Sequence, residues 1–349
     1  MPTVQYSFFA LEHQLDKIYQ LNDFLPKLHS LIDWEIFRPI LRTVHEKERL
    51  SNAGRKPFDV VLMFKILVLK AMYNLSDEQT ELQIRDRLSF RAFLGLGFTD
   101  GDIIPDAKTI WLFAERLKNL QLERTLFDRF NELLDASGFK VNSGYIVDGT
   151  FVEVPKQRNT KAENEQIKQG EIPAMFSSNP HVLAQKDTDA RWAKKGNENY
   201  FGYKSHDLAD EKYKFIRDYE VTLASVHDSV PYLDLIPAEP VYPDQEAFAD
   251  SAYWGKERES ALLNRGFLPM ICERGCGKKV LTEAQRKLNK VKSSIRCRVE
   301  HIFGAMKMRM GNEILRSIGF GRARFWVGMR NLTYNMGRWV SWKRPRGER

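Results

Sequence analysis

Tyr145-Ile146-Val147-Asp148-Gly149-Thr150-Phe151-Val152-Glu153-Val154 is where this 349-residue chain turns from helical to extended patterning. The run is rich in β-branched and aromatic residues and reads as a strand. Asp148 follows Ile146-Val147 and precedes Gly149, which puts it in mid-strand on the face opposite Val147. Two more extended runs follow, Tyr200-Phe201-Gly202-Tyr203-Lys204-Ser205-His206 and residues 213–223. Beyond them the pattern predicts a helix near 230–235, a short strand Ala247-Phe248-Ala249-Asp250, a helix near 257–264 and a strand over 268–272.

Read in order, these elements give βββαβαβα and a mixed sheet. That is the order of the ribonuclease-H-like fold, in which acids at strand ends and on the last helix meet. Residues 156–199, between the first two strands, are polar with little apolar periodicity, and read as a long mobile insertion or an arm that orders on a partner. Upstream, residues 10–45 are helical in pattern, with Leu11, Leu15, Ile18, Tyr19 and Leu21 before Pro26. Arg55-Lys56-Pro57 opens a helix over 58–73 that is apolar almost all round and therefore central and buried. Ser76 starts another to about residue 94, Pro105-Asp106 one to about 117, and the last covers 122–136 before Gly138. The expected domains are a helical N-terminal DNA-binding or dimerisation domain (1–138), a catalytic α/β core (139–310) and a basic C-terminal helical tail (311–349).

The run Ser293-Ser294-Ile295-Arg296-Cys297-Arg298-Val299-Glu300-His301-Ile302-Phe303-Gly304-Ala305-Met306-Lys307 carries one acid among cations. On a single helix Arg296, Glu300, Phe303 and Lys307 form a narrow stripe beside the apolar stripe Ile295, Val299, Ile302, Met306 and Met310. Docking of the apolar stripe leaves Glu300 at the margin of the buried face, flanked by a guanidinium and an ammonium. Asp148, Asp250 and Glu300 together make a set of hard oxygen ligands suited to two Mg²⁺ or Mn²⁺ ions and to phosphodiester chemistry. Taken singly, Asp148 is also a turn cap with Gly149 and Asp250 the cap of the next helix. Asp228 is the alternative second acid, and His206 and His227 with Asp228 an alternative acid–base set.

The net charge of +8 is unevenly spread: residues 278–349 hold 19 Lys or Arg against 4 Asp or Glu, a local +15, leaving −7 for the rest. Such a concentration fits a nucleic-acid-binding face on an ordinary body. In the tail Trp326, Tyr334, Trp339 and Trp342 interleave with Arg322, Arg324, Arg330, Arg338, Lys343 and Arg344, a pattern that suits both a docked helix and DNA contacts. The start of the chain has no basic stretch leading into an apolar run, and the apolar stretch 58–73 is broken by Asp59, Lys65 and Lys70. With three cysteines, Cys272, Cys276 and Cys297, the expectation is a cytoplasmic protein with no membrane partner. Cys272, Cys276, Cys297 and His301 have spacings within the range of zinc sites, with incidental thiols as the alternative.

The segments Val147-Asp148-Gly149-Thr150, Phe201-Gly202-Tyr203-Lys204-Ser205-His206, Phe248-Ala249-Asp250-Ser251-Ala252-Tyr253 and Arg296-Cys297-Arg298-Val299-Glu300-His301-Ile302-Phe303 resemble the DDE transposases of bacterial insertion sequences. The resemblance is to insertion-sequence family five, within the larger insertion-sequence family four superfamily. That group's signature is Tyr, two residues, Arg, three residues, Glu, six residues, Lys. Arg296, Glu300 and Lys307 match it, while Ser293 stands in the tyrosine position. Gly54-Arg55-Lys56-Pro57-Phe58 and Pro105-Asp106 with Thr109 resemble the family's amino-terminal domain.

The resemblance implies that Asp148, Asp250 and Glu300 are the metal-binding catalytic triad, and that Arg296 and Lys307 hold phosphates near the cut. It implies cleavage of double-stranded DNA at element ends, transfer of the freed 3′-hydroxyl to target DNA, and a homodimer or larger synaptic assembly. Arg298, Lys204, Arg191, Lys194 and Lys195 complete the expected DNA-binding set, the last three from a segment that in the family precedes the Gly-Tyr-Lys strand. A nuclease that cuts without joining, and a catalytically silent DNA-binding protein of transposase origin, are the alternative functions.

Overall fold

The computed structural model describes residues 16–17, 24–45, 56–97, 103–275, 280–311 and 314–343. Leu11, Leu15, Ile18, Tyr19, Leu21, Gly54, Arg55, Cys276 and Arg344 lie outside these. Contacts divide the chain into two units, residues 1–129 with 332–349 and residues 130–331. The second unit thus takes in residues 311–331, which the sequence pattern groups with the tail.

The first unit is helical: α1 (Phe24–Leu31), α2 (Arg38–Arg42), α3 (Val60–Tyr73), α4 (Asp77–Asp86), α5 (Leu88–Leu94), α6 (Ala107–Asn119) and most of α7 (Leu122–Ala136). The starts follow the expected caps. Asp59 accepts from the amides of Val61 and Leu62, Ser76 from Gln79, and Asp106 from Thr109, which satisfies donors a helix N-terminus leaves open. α3 is buried nearly all round, and Trp34, Phe37, Phe64 and Phe93 pack ring against ring beside it. The helix predicted to run from Ser76 to about residue 94 is interrupted at Arg87, whose backbone is extended.

The second unit holds one six-stranded sheet: β1 (Tyr145–Glu153), β2 (Arg191–Lys195), β3 (Glu198–Asp210), β4 (Ile216–Leu223), β5 (Gln245–Ala249) and β6 (Phe267–Ile271). β3 pairs antiparallel with β1 on one side, and with β2 and β4 along the other. β1, β5 and β6 are mutually parallel neighbours in that order. Without β2, the strands run β4-β3-β1-β5-β6 across the sheet. One side of β1 and β5 (Tyr145, Val147, Ala247, Ala249) joins a core with Tyr232, Leu235 and Leu262 from α11 (Tyr232–Leu235) and α12 (Lys256–Asn264). Gly202 in β3 has φ +145°, and a Cβ there would stand 2.3 Å from the Val152 carbonyl oxygen of β1, so the close pairing of these two strands requires a glycine.

Two expectations are corrected. The polar stretch 156–199 is ordered within the chain: it forms α8 (Lys161–Lys168), α9 (Ala174–Ser177), α10 (Pro180–Leu183) and β2, and buries Ile167, Phe176 and Ala190. The basic run near 300 is not one helix. α13 (Glu283–Arg296) ends at Cys297 and α14 (Arg298–Met310) begins there, with the Glu300 amide donating to the Cys297 carbonyl in a tightened turn. The apolar stripe still docks, for Val299, Ile302, Met306 and Met310 are all buried. α15 (Phe320–Lys343) closes the described chain, its Phe325, Val327 and Met329 buried.

Candidate functional site

Strand register builds the site. In an extended strand alternate residues share a face, so Asp148 points away from Val147 and its core. β1 and β5 pair in parallel with Ile146 beside Phe248. Two residues further along each strand, on that same face, are Asp148 and Asp250, which register alone makes neighbours. α14 packs against β1, bringing Glu300 from its first turn. Asp148, Asp250, Arg296, Glu300, Phe303, Lys307 and Lys195 all line one cleft of about 930 Å³.

Arg296 organises this cleft. Its Nη1 donates to Asp148 Oδ2 at 2.6 Å and its Nη2 to Glu300 Oε1 at 2.9 Å, so one guanidinium spans two of the three acids. The break at Cys297 leaves the four-residue spacing of Arg296 and Glu300 intact. Asp148 Oδ1 accepts from the Gly149 amide at 2.8 Å, and Asp250 Oδ1 from the Ala252 amide at 2.6 Å, so both acids also make the local turn contacts their neighbours suggest. Burial raises the Asp148 carboxyl to about 6; Arg296 opposes the rise and the negative charge of Asp250 adds to it. Burial pulls Arg296 down, but Asp148, Glu300 and Asp250 outweigh it and hold the guanidinium above its ordinary range.

The remaining candidates divide. Lys195 and Lys307 reach the cleft, whereas Lys194 is exposed on β2 and does not line it. Arg298 pairs with Glu211 at 2.6 Å, and Arg191 Nη1 donates to the carbonyls of Thr188, Asp189 and Ala190 in its own loop. Lys204 donates to Asp228 at 2.8 Å. That pair lies by Gly149 and His206, on the side of β1 away from Asp148, and Asp228 does not line the cleft. His206 bonds Thr222 at 2.8 Å, and burial lowers its imidazole to about 4. His227 bonds Ser229. Glu153, Lys156 and Tyr200 line the cleft without having stood out in the sequence. Lys156 had one usable signal, its place just past the strand that carries Asp148.

The donors suit a hard divalent ion: four carboxylates, Asp148, Glu153, Asp250 and Glu300, line the cleft, with no thiol or imidazole among its lining residues. A half-buried Asp148 beside Asp250, with its carboxyl raised to about 6, is a place where added positive charge is favoured. Among the described residues no three acids, histidines or cysteines stand close enough together to hold an ion. Asp148 and Glu300 are held on the two terminal nitrogens of the Arg296 guanidinium. The suggested zinc ligands have other partners: Cys272 contacts Ser293 at 3.6 Å, Cys297 the Ser294 carbonyl, and His301 Nδ1 Lys214. Ser293, in the tyrosine position of the resembled signature, is thus half-buried against Cys272.

No helix among the described residues is long and apolar enough to cross a membrane. In structure the chain is similar to a piggyBac transposase, solved by electron cryo-microscopy as a synaptic complex with hairpin DNA, at 12% identity and a TM-score of 0.46 over 92% of this chain and 75% of that one. A family described as "Transposase domain (DUF772)" matches residues 13–116, and one described as "Transposase DDE domain" matches residues 140–336. That second match spans more than half of the sequence and takes in Asp148, Asp250 and Glu300, and the chain therefore belongs to the DDE transposases, enzymes that cut and join DNA.

Proposed function

We propose that this protein is an insertion-sequence transposase whose Asp148, Asp250 and Glu300 hold two Mg²⁺ or Mn²⁺ ions in a ribonuclease-H-like core. It cuts double-stranded DNA at the element's ends and joins the freed 3′-hydroxyls to target DNA, working as a homodimer or larger assembly on paired ends. The observation that carries this reading is the β1–β5 register, which sets Asp148 beside Asp250 on the face where α14 presents Glu300. The strand order β4-β3-β1-β5-β6, with β1, β5 and β6 parallel, supports the fold assignment.

Divalent ions held by the three carboxylates supply Lewis-acid stabilisation to a phosphoryl group in transfer. The chain's own residues prepare for this. Arg296 spans Asp148 and Glu300, which screens the charge of the acids until ligands arrive. Glu300, with its side chain 59% exposed, has room to turn away, while Asp148, 15% exposed, does not. Turning of Glu300 frees Arg296 Nη2 as a donor for a phosphate in the cleft, and Lys307 and Lys195 add charge along the same wall. Hydrolysis and strand transfer differ only in whether water or a 3′-hydroxyl attacks, so one site serves both in turn.

The test is Mg²⁺-dependent reaction of a duplex taken from the DNA bordering the coding region with a second, target duplex. The expected result is cut and joined products from the wild-type chain, and neither from Asp148→Asn although that variant still binds the duplex. Cutting by Asp148→Asn overturns the assignment. Wild-type products that are cut but never joined point instead to a nuclease.

A further inference from the structure

The cleft does not end at the carboxylates. Val154 and Lys156 line it and also line an adjoining recess of about 330 Å³, whose other walls are residues 155–158, 185–187 and 316–318. Three separate segments meet there. Residues 155–158 leave β1, residues 185–187 follow α10, and residues 316–318 run on from a parallel bridge between Ile314 and Glu153, in which the Leu315 amide donates to the Glu153 carbonyl at 2.7 Å.

The recess is cationic. Lys156, Arg158, Lys186 and Arg316 line it, and Lys156, Arg158 and Arg316 make no ion pair among the described residues. Its one acid, Asp187, is 1% exposed and already engaged: Oδ1 accepts from the Tyr203 hydroxyl at 2.7 Å and from the amides of Asp189 and Ala190, and Oδ2 accepts from the Gly319 amide. Asp187 thus ties the recess walls together and has little capacity left to answer the surrounding cations. Two further lining groups, Gln157 Oε1 and Ser317 Oγ, are buried with no hydrogen-bond partner among the described residues. Buried polar atoms cost free energy unless something pairs with them.

We propose that this recess is a second DNA subsite, which grips the sugar-phosphate backbone of the strand running out of the carboxylate cleft. Arg158 and Arg316 face its phosphates, and the Ser317 hydroxyl donates to a phosphate oxygen at the floor. Continuity with the cleft through Lys156 favours a DNA strand over a free anion, and a volume near 330 Å³ admits the backbone of one strand of a duplex. The proposal rests on the cleft being where DNA is cut, yet it is tested by binding alone.

The experiment measures affinity of the full chain, without divalent metal, for a duplex taken from the DNA bordering the coding region, across a range of salt. Arg158→Gln, Arg316→Gln and the double variant are compared with Lys168→Gln, which removes an exposed lysine of α8 outside the recess; thermal melting checks folding. The double variant is expected to bind about 10- to 100-fold more weakly, with a salt slope shallower by about 1.8, the value for two lost phosphate contacts. Lys168→Gln is expected to change affinity less than about twofold. A double variant that folds and matches Lys168→Gln in affinity and slope overturns the proposal. Loss of inorganic phosphate binding with DNA affinity intact does so too, by assigning the recess to a free anion. Cutting by Asp148→Asn defeats the proposed function instead, and leaves the affinity comparison standing.

Discussion

Asp148 and Asp207 stand directly opposite each other across the β1–β3 pair and therefore project on the same side of the sheet. Burial raises both carboxyls to about 6. Their surroundings differ. Asp207 is fully enclosed: Ser205 Oγ donates to it at 2.7 Å, Asn331 Nδ2 at 3.0 Å, and the buried Arg330 supplies the opposing charge. Asp148 opens on a cleft and meets a cation, Arg296, that is shared with another acid. Two aspartates one strand apart thus stand one in a sealed seam and one at an open cleft, and the difference lies in access and in the neighbour's second partner, not in the direction of the pKa shift.

Substitution breaks this comparison most sharply at the site. Asp148→Asn and Asp250→Asn are expected to lower DNA cutting by at least about 10³-fold, a modest part of a typical enzymatic acceleration of about 10⁶ or more, while melting temperatures stay near or above wild type. Asp207→Asn is expected to do the opposite. It leaves the Arg330 charge buried without its counter-charge and costs about 3 kcal/mol in chemical denaturation, yet protein that stays folded cuts within a few fold of wild type.

pH sharpens the contrast next. A carboxyl whose folded pKa is raised favours the folded state fully below about 3.8, and that contribution is lost as pH rises through about 6. Asp148→Asn removes the loss, so the variant gains up to about 3 kcal/mol over wild type at pH 8 and almost nothing at pH 4, read by denaturation at the two pH values. The smallest effect belongs to the far side of β1. Asp228→Asn breaks a partly exposed pair with Lys204, worth about 1 kcal/mol or less, and is expected to change cutting by less than about threefold.

Asp148 was legible in the sequence because a strand has period two, and a polar residue after Ile146-Val147 must face away from Val147. The stripe around Glu300 was legible because four-residue spacing survives the break at Cys297. Asp207 was not, since its partner Asn331 lies 124 residues away and nothing local marks it. The stretch 156–199 misled for a related reason. Ile167, Phe176 and Ala190 are too sparse to show a period, because α9 and α10 are four residues each and bury one large side chain between them. The basic recess was hidden too, being assembled from three segments that share no local pattern.

The central claim is that Asp148, Asp250 and Glu300 together take up divalent metal. The most direct test is Mn²⁺ binding at pH 7.5, measured by calorimetry on the wild-type chain, Asp148→Asn, Asp250→Asn, Glu300→Gln and Asp228→Asn. The account predicts binding by wild type and Asp228→Asn, weakened by at least about tenfold, the scale on which metal-site residues act, in each of the other three. Undiminished binding in Asp250→Asn, with loss in Asp228→Asn, would contradict it.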